Sequence, residues 1–317
     1  MLIQLSGVIV DMVYQVEAVP RPGEEAVVHG AFMAAGGGFN AMAAARRAGM
    51  AVAYAGGLGT GPLSEIAAAA LAAEGIACLR PRDPVRDLGC CTVLVDAAGE
   101  RAFIASQGAD GVATDADFAR VRPDPSDWLL LSGYALSYAE MREAATRWLA
   151  GPPPPAPLVF DPSPMAAHLD PARVRAALAR AAWVSANGAE AAALTGRDDP
   201  ARAAEALADR PGGAVVRVGA AGCWLALPGG PARRLPGHPV RPRDTTGAGD
   251  AHIGAFIAAL DRGEDPEAAA RIANVAAALS TLGIGPATAP TLDAARSAMG
   301  QTARTDRGAR PLAEEDA

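Results

Sequence analysis

Short apolar runs alternate with longer alanine-rich runs along most of this chain. Strands alternating with helices predict a parallel sheet with helices on both faces. The alanine-rich runs predict helices over Ala41–Arg47, Ala139–Leu149, Ala172–Ala181 and Ala201–Asp209. The apolar runs predict strands over Leu2–Val10, interrupted at Gly7, and over Trp128–Leu131, Leu158–Phe160, Trp183–Ser185 and Ala214–Val218.

Polar residues follow several of these predicted strands. In an open parallel sheet, ligands bind beyond the carboxyl ends of the strands. We expect the residues at those ends to lie near a binding site: Asp11, Ser132–Gly133, Asp161, Asn187 and Gly219.

The segment Arg243–His252 predicts a glycine-rich turn that opens into a helix over Ile253–Leu260. Such a turn presents unpaired backbone N–H groups, which favour an anion such as phosphate. Gly247 and Gly249 let the backbone approach that ligand closely. Asp250 in the first helical turn could take a proton from an attacking hydroxyl group, although an aspartate there is also a common helix cap.

Composition excludes several classes of protein. All 28 basic residues are arginine, so a Walker A loop, a Schiff-base lysine and the lysine of protein kinases are excluded. The net charge of −7 and the lack of a basic cluster argue against nucleic-acid binding. With 317 residues, 50% of them hydrophobic, the chain can bury one large α/β core.

Cysteine usage and the N-terminus predict a cytoplasmic protein. No cysteine pair has C-x-x-C spacing, and free thiols in a reducing compartment are expected for Cys78, Cys90, Cys91 and Cys223. Met1–Leu5 lacks the positive charge of a signal peptide. No apolar run reaches the roughly 18 residues of a membrane span, so no membrane partner is expected.

The run Asp244–Asp250, DTTGAGD, closely resembles the C-terminal signature of the ribokinase-like (PfkB) carbohydrate kinases. The glycine-rich stretch Gly36–Gly59 resembles the N-terminal signature of the same family. The resemblance covers roughly residues 2–290. It implies an α/β fold of three layers, with a central, mostly parallel sheet and a small β-sheet lid.

The resemblance also implies an organisation and an activity. The kinase domain would span residues 1–300, with the lid at about 11–36 and 89–107, and would form a homodimer through the lid. Residues 301–317 are polar without periodicity, which predicts a disordered tail. The implied activity is transfer of the γ-phosphoryl group of ATP, with Mg²⁺, to a hydroxymethyl group of a ribose- or fructose-type free sugar.

Individual residues take roles from this resemblance. Asp250 would be the base, and the N–H groups of Gly247, Ala248 and Gly249 would stabilise the transferred phosphoryl group. The sugar would be bound by Asp11, Gly37, Gly38 and Asn40. The nucleotide would be bound by Asn187, Gly219, Gly222 and Asn274. Glu190 would hold Mg²⁺ through water, and Asp244 would help to hold a monovalent cation such as K⁺.

The residues themselves leave other interpretations open. Asp11 also suits a turn, Asn187 and Glu190 suit a capped helix with an exposed carboxylate, and Asn274 suits a packing hydrogen bond. The family pattern is broken at Met42, Thr60–Gly61 and Arg243, and by the absence of lysine after Gly37 and Gly38. These departures argue against assuming ribose as the acceptor.

Two alternative functions remain. A nucleoside kinase is disfavoured by the aromatic content of only 4%, and a non-catalytic sugar or nucleotide sensor is disfavoured by Asp250. A neutral acceptor is expected, because neither Gly36–Asn40 nor Cys90–Val95 carries a basic residue. Three arginines near these stretches are interpreted as solvated at strand ends: Arg21, Arg86 and Arg101.

Overall fold

The computed structural model describes the backbone of residues 1–308 and the side chains of residues 1–300; residues 309–317 lie outside the described part. Its strands are β1 (Leu2–Gln4), β2 (Val8–Val16), β3 (Val28–Gly37), β4 (Val52–Tyr54), β5 (Ala77–Cys78), β6 (Cys90–Val95), β7 (Arg101–Ser106), β8 (Trp128–Ser132), β9 (Leu158–Asp161), β10 (Trp183–Asn187), β11 (Gly213–Arg217), β12 (Cys223–Ala226) and β13 (Arg233–Leu235).

The helices in the same range are α1 (Gly38–Arg47), α2 (Pro62–Ala73), α3 (Asp115–Arg120), α4 (Tyr134–Ser137), α5 (Arg142–Ala150), α6 (Pro171–Arg180), α7 (Gly188–Thr195), α8 (Pro200–Leu207), α9 (Ala248–Asp261), α10 (Pro266–Ser280) and α11 (Leu292–Gly308). Helix α11 therefore includes the first residues of the predicted tail, and the rest of that tail lies outside the described residues. Within the described chain, no helix is both long and apolar enough to cross a membrane.

The central sheet has the strand order β13-β12-β11-β10-β9-β8-β1-β4-β5 over the described residues. Its neighbouring strands are parallel, except that β12 runs antiparallel to both β11 and β13. This arrangement confirms the predicted central, mostly parallel sheet.

Successive residues of the central strands enter two separate hydrophobic cores. Leu130 and Val215 pack on one face with α1, α2, α9 and α10. Leu129, Leu131 and Val216 pack on the opposite face with α3, α5, α6 and α8. Because side chains alternate along a strand, a strand buried on both sides is apolar at every position. The three layers predicted from the sequence are therefore confirmed.

A smaller, separate sheet, called the second sheet below, has the strand order β3-β2-β6-β7. The break predicted at Gly7 is where the chain leaves the central sheet, so β1 and β2 belong to different sheets. Asp11 does not follow the first strand, as the sequence indicates, but lies within β2, paired with Ala34 and Cys91. The sequence places that residue wrongly because an apolar run does not show which sheet each half joins.

Helices α1 and α9 cross at very close range. A methyl group added to Gly254 of α9 would overlap the carbonyl oxygen of Ala41 in α1, so the crossing requires glycine at this position. Small residues let two helix backbones approach to this extent. As a result, the N-terminal ends of α1 and α9 lie side by side at the carboxyl edge of the central sheet.

Candidate active site

The two glycine-rich turns that the sequence singles out meet at the N-termini of α1 and α9. The Nδ2 atom of Asn40 donates a hydrogen bond of 3.0 Å to Oδ2 of Asp250, across a separation of 210 residues in the chain. The Oδ1 atom of Asn40 is buried and has no hydrogen-bond partner in the described chain. A buried acceptor without a partner is rare in proteins, so Oδ1 is available to accept a hydrogen bond from a bound ligand.

The turn before α9 presents free backbone donors. Gly247 caps the helix with φ at +72°, a conformation that favours glycine. The N–H groups of Gly247 and Gly249 have no hydrogen-bond partner among the described residues, while that of Ala248 makes a 3.3 Å bond to the carbonyl of Thr245. These N–H groups and the helix dipole create a binding site for an anion.

Asp250 stands in the first turn of α9, beside these free N–H groups. Burial raises the pKa of its carboxyl group to about 7, and the neighbouring charge of Asp161 acts in the same direction. The hydrogen bond from Asn40 and the charge of Arg217 act in the opposite direction. A carboxyl group with a pKa near neutrality is suited to accept and release a proton.

A cavity of about 480 Å³ opens beside the turn. Several nucleotide-site residues expected from the sequence line it, together with side chains that the expectation did not include. Its lining includes Asp161, Asn187, Glu190, Arg217, Gly219, Gly222, His238, Gly247, Ala248, Gly249, Asp250, His252 and Asn274.

Three charged side chains line this cavity together: Asp161 at the end of β9, Arg217 at the end of β11, and Glu190 in the first turn of α7, which follows the strand between them. Nη2 of Arg217 lies 3.4 Å from Oε2 of Glu190 and 3.9 Å from Oδ1 of Asp161. Burial raises the pKa of both carboxyl groups, and the charge of Arg217 partly offsets that shift. The cavity thus combines three carboxyl groups, counting Asp250, with one guanidinium group.

Asn187 and Glu190 form a reciprocal cap at the start of α7. Each side chain accepts a hydrogen bond from the other residue's backbone N–H, at 2.8 Å for Asn187 Oδ1 and 2.7 Å for Glu190 Oε2. Glu190 Oε1 also accepts a hydrogen bond from Nδ2 of Asn187 at 2.7 Å, and the residue is buried. The capped-helix interpretation therefore holds, but without the exposed glutamate that it assumed.

Asn274 lines the cavity, yet its amide group binds protein atoms. Its Nδ2 donates to the carbonyl oxygens of Leu235 at 3.2 Å and Pro236 at 3.0 Å. These bonds hold the segment after β13 against α10. Asn274 thus shapes the cavity wall through the packing hydrogen bonds that the sequence left open as an alternative.

The second sheet contributes a further carboxyl group, that of Asp11, whose charge acts on Asp250. Burial raises the pKa of Asp11 to about 6, and its charge acts on that of Asp250. A methyl group on Gly36 would overlap the Asp11 carboxylate, and one on Gly38 would lie 2.9 Å from the carbonyl oxygen of Gly7. Close approach therefore explains the glycines of this stretch, in which Gly37 has φ at +59°.

Asp244 has a different set of partners from the one that the resemblance implies. Its Oδ1 atom accepts hydrogen bonds from Arg101 Nη2 at 2.6 Å and from the backbone and side chain of Thr246, while Oδ2 accepts one from Gly285 N at 2.8 Å. Burial acts to raise the pKa of Asp244, but these hydrogen bonds and the charge of Arg101 lower it. Arg101 is thus an ion-pair partner and not a solvated side chain.

Three side chains of the site were not assigned from the sequence: Arg217, Arg101 and His252. Arg217 had a usable signal, since it is a charged residue at the end of an apolar strand. Arg101 reaches Asp244 from the other sheet, and no sequence pattern reports such a contact. His252 lies one helical turn before Phe256, with their ring centres 6.3 Å apart.

Free N–H groups at a helix start, an adjacent carboxyl group and a large cavity at the edge of a parallel sheet are features that favour a ligand carrying phosphate. Residues 5–292 match the pfkB family of carbohydrate kinases, and the chain belongs to that family. The fold resembles that of ribokinase from Thermotoga maritima, with a TM-score of 0.78 and 21% identity over 94% of this chain and 99% of that one.

Two further relatives share more sequence. A fructokinase from Vibrio cholerae, solved with fructose, ADP and calcium, has a TM-score of 0.73 and 26% identity over 93% of this chain and 98% of its own. Ribokinase of Bacillus subtilis is 55% identical over 51 residues, which span 16% of this chain and 17% of that protein.

Proposed function

We propose that this protein transfers the γ-phosphoryl group of ATP to a hydroxymethyl group of a neutral sugar or sugar-like alcohol. The observation that carries the proposal is the contact between Asn40 and Asp250, which joins the two glycine-rich turns beside a cavity of about 480 Å³. Membership of the pfkB family supports the same activity.

Asp250 takes the proton of the acceptor hydroxyl, whose oxygen forms a bond to the γ-phosphorus atom. The bond to the bridging oxygen breaks, and ADP leaves with the electron pair. The free N–H groups of Gly247 and Gly249 stabilise the charge on the transferred group, and the N–H group of Ala248, which bonds to Thr245 in the ligand-free protein, joins them when the nucleotide binds. Asn40 orients Asp250 through Nδ2 and accepts a hydrogen bond from an acceptor hydroxyl through Oδ1.

Magnesium fits this site as a companion of the nucleotide. Among residues 1–300, no group of three or more His, Cys, Asp or Glu side chains is arranged to hold a metal ion. Both oxygens of Glu190 already accept hydrogen bonds, so Glu190 would hold the ion through bound water. Magnesium would neutralise charge on the phosphates.

An acceptor panel tests the proposal directly. Purified protein with ATP and Mg²⁺ should form ADP with free sugars such as fructose or ribose and not with their phosphate esters. The acceptor side of the site carries the carboxylate of Asp11 and the neutral amide of Asn40, and Arg101 is paired with Asp244. A phosphorylated sugar with the highest kcat/KM would contradict a neutral acceptor, and no ADP with any alcohol would contradict the kinase assignment.

A nucleoside kinase is the second candidate, and the second sheet favours it. Val13 pairs with Phe32 and with Val93, and Val93 pairs with Phe103. Alternation along β2 puts this apolar row on the same face as Asp11. Aromatic side chains therefore gather near the acceptor despite the low aromatic content of the chain. Adenosine and other nucleosides belong in the panel, and a preference for them would select this candidate.

Replacing Asp11 should weaken binding of the acceptor more than binding of the nucleotide. We expect Asp11→Ala to raise the acceptor KM roughly 5- to 150-fold, equivalent to about 1–3 kcal/mol for a lost buried polar contact. The KM for ATP should stay near that of the wild type. Glu100→Ala, in the exposed turn of the same sheet, is the matched control. Equal changes in both KM values would place Asp11 outside the acceptor site.

The residues around Asp244 do not fit a directly bound potassium ion. Four donors, including the Arg101 guanidinium, already bind its carboxylate. We therefore expect rates in potassium chloride and in tetramethylammonium chloride, at equal ionic strength, to agree within about twofold, or ~0.4 kcal/mol. Activation by potassium of about tenfold would show that Arg101 leaves Asp244 during turnover.

The second sheet is also where we propose that a homodimer forms. Met33 and Ile104 expose 53% and 64% of their surfaces on the face opposite Asp11, and Phe103 exposes 64% on the face that carries Asp11. Exposed apolar clusters of this kind favour protein–protein contact. Sedimentation of the wild type and of Ile104→Glu would show whether this surface carries the association.

A further inference from the structure

Arg217 ends β11, directly below the turn that precedes α9. Its guanidinium is 12% exposed, and it is the only arginine lining the large cavity in the described part of the chain. Since the whole chain lacks lysine, no lysine can supply positive charge to this cavity. His252 is neutral there, because burial and the charge of Arg217 lower its pKa to about 3.

The guanidinium is held in a fixed position. Nη1 donates a 2.6 Å hydrogen bond to Oγ of Ser185, and Nη2 lies 3.4 Å from Glu190 and 3.9 Å from Asp161. Those last two distances are long for charge-assisted hydrogen bonds, which are usually about 2.7–2.9 Å. The carboxylates therefore orient the guanidinium without using its full bonding capacity.

The Nε atom of Arg217 lies close to the turn and has no hydrogen-bond partner in the described chain. A β-carbon on Gly249 would lie 3.6 Å from Nε of Arg217 and 3.7 Å from Nη2. Nε donates no hydrogen bond to any atom of the described chain. An unused donor of a largely buried arginine, placed against free backbone N–H groups, is suited to an anion.

The distribution of charge in the cavity also indicates that Arg217 binds an anion. Asp161, Glu190 and Asp250 place three carboxyl groups around one guanidinium, and a nucleotide would add its phosphates. Backbone N–H groups carry only partial charge, whereas the guanidinium is a permanent cation. Removing it would leave the described lining of the cavity with three carboxyl groups and no arginine or lysine side chain.

We propose that Arg217 binds the β- and γ-phosphates of the nucleotide from beneath the Gly247–Gly249 turn. This inference rests on the proposed function and adds a phosphate-binding residue to it. A guanidinium in this position also keeps the terminal phosphate close to Asp250. It supplies from a strand end the positive charge that other phosphate sites take from a lysine in a loop.

The test compares ligands that differ only in their phosphates. Calorimetric binding of adenosine, AMP, ADP and a non-hydrolysable ATP analogue is measured for the wild type, Arg217→Gln and Arg217→Lys. We expect Arg217→Gln to raise the Kd for ADP and for the ATP analogue about 10- to 100-fold, the range for a lost charge-assisted hydrogen bond. The Kd for adenosine should stay within about twofold of the wild-type value. Arg217→Lys should restore part of the loss, since it keeps the charge without the planar fork.

Arg233→Gln is the matched control, because Arg233 is an exposed arginine on β13 that pairs with Glu267. Thermal unfolding of each variant reports whether the fold is kept. A loss of similar size for adenosine and for the ATP analogue would assign Arg217 a purely structural role and overturn the inference. A wild-type protein that binds none of the four ligands would instead overturn the proposed function.

Discussion

Asp250→Asn should lower kcat by on the order of 10²–10⁴, the usual cost of losing a general base. The amide keeps the shape of the carboxyl group, so the contact with Asn40 and the packing of α9 are retained. Nucleotide affinity should therefore stay close to that of the wild type. Steady-state kinetics with the best acceptor of the panel, and nucleotide titration, measure the two effects separately.

Asp261→Asn, at the exposed end of the same helix, is the control for a carboxylate lost from α9.

The wild-type enzyme should also lose activity as the pH falls through about 7. Burial and the charge of Asp161 raise the pKa of Asp250 to that value, and only the ionised carboxylate accepts a proton. Near-native turnover by Asp250→Asn, or a pH profile that is flat from 5 to 8, would remove Asp250 from the role of base.

Gly249→Val should abolish the use of ATP in a folded protein. The three atoms nearest to a β-carbon at this position belong to the Arg217 guanidinium, at ordinary contact distances of 3.6–3.7 Å, so the backbone of α9 can carry a side chain here. The added side chain would stand where the phosphate approaches the turn. We expect kcat/KM for ATP to fall by at least the order of 10²–10³ that loss of one stabilising donor costs.

Gly247 is a poorer position for the same test, because its φ of +72° would strain any other side chain. Gly230→Val, in a surface turn where a β-carbon meets nothing closer than 3.6 Å, controls for the substitution itself. Thermal unfolding of both variants checks that the fold survives. Normal kinetics in a folded Gly249→Val protein would mean that the phosphate binds elsewhere.

The sequence predicts the layers of this fold because its strands are buried on both faces. Runs such as Leu158–Phe160 are apolar at every position, which indicates a sheet covered by helices. The boundary at Gly7 was visible as a break, but the change of sheet there was not. Asp11 was consequently placed at a strand end, while it lies within β2.

Contacts of the site between residues close in sequence could be predicted from the sequence. Contacts between residues far apart in sequence could not. The capping motif of Asn187 and Glu190 spans three residues and was among the interpretations offered. The ion pair of Arg101 with Asp244 joins residues of two sheets, 143 positions apart. The contacts of Arg217 could not be predicted either, because they depend on which strands lie beside β11.

The crossing of α1 and α9 holds the proposed base and the phosphate-binding turn on one rigid helix pair, apart from the second sheet. Asn40 and the Gly247–Asp250 turn are fixed to the same helix pair, whose spacing is set by the contact of Gly254 with Ala41. The second sheet is built from other strands and carries Asp11, which we propose binds the acceptor. Substitutions there can select a different alcohol while the donor and the base keep their alignment, so a lineage could diversify its substrates without rebuilding its chemistry.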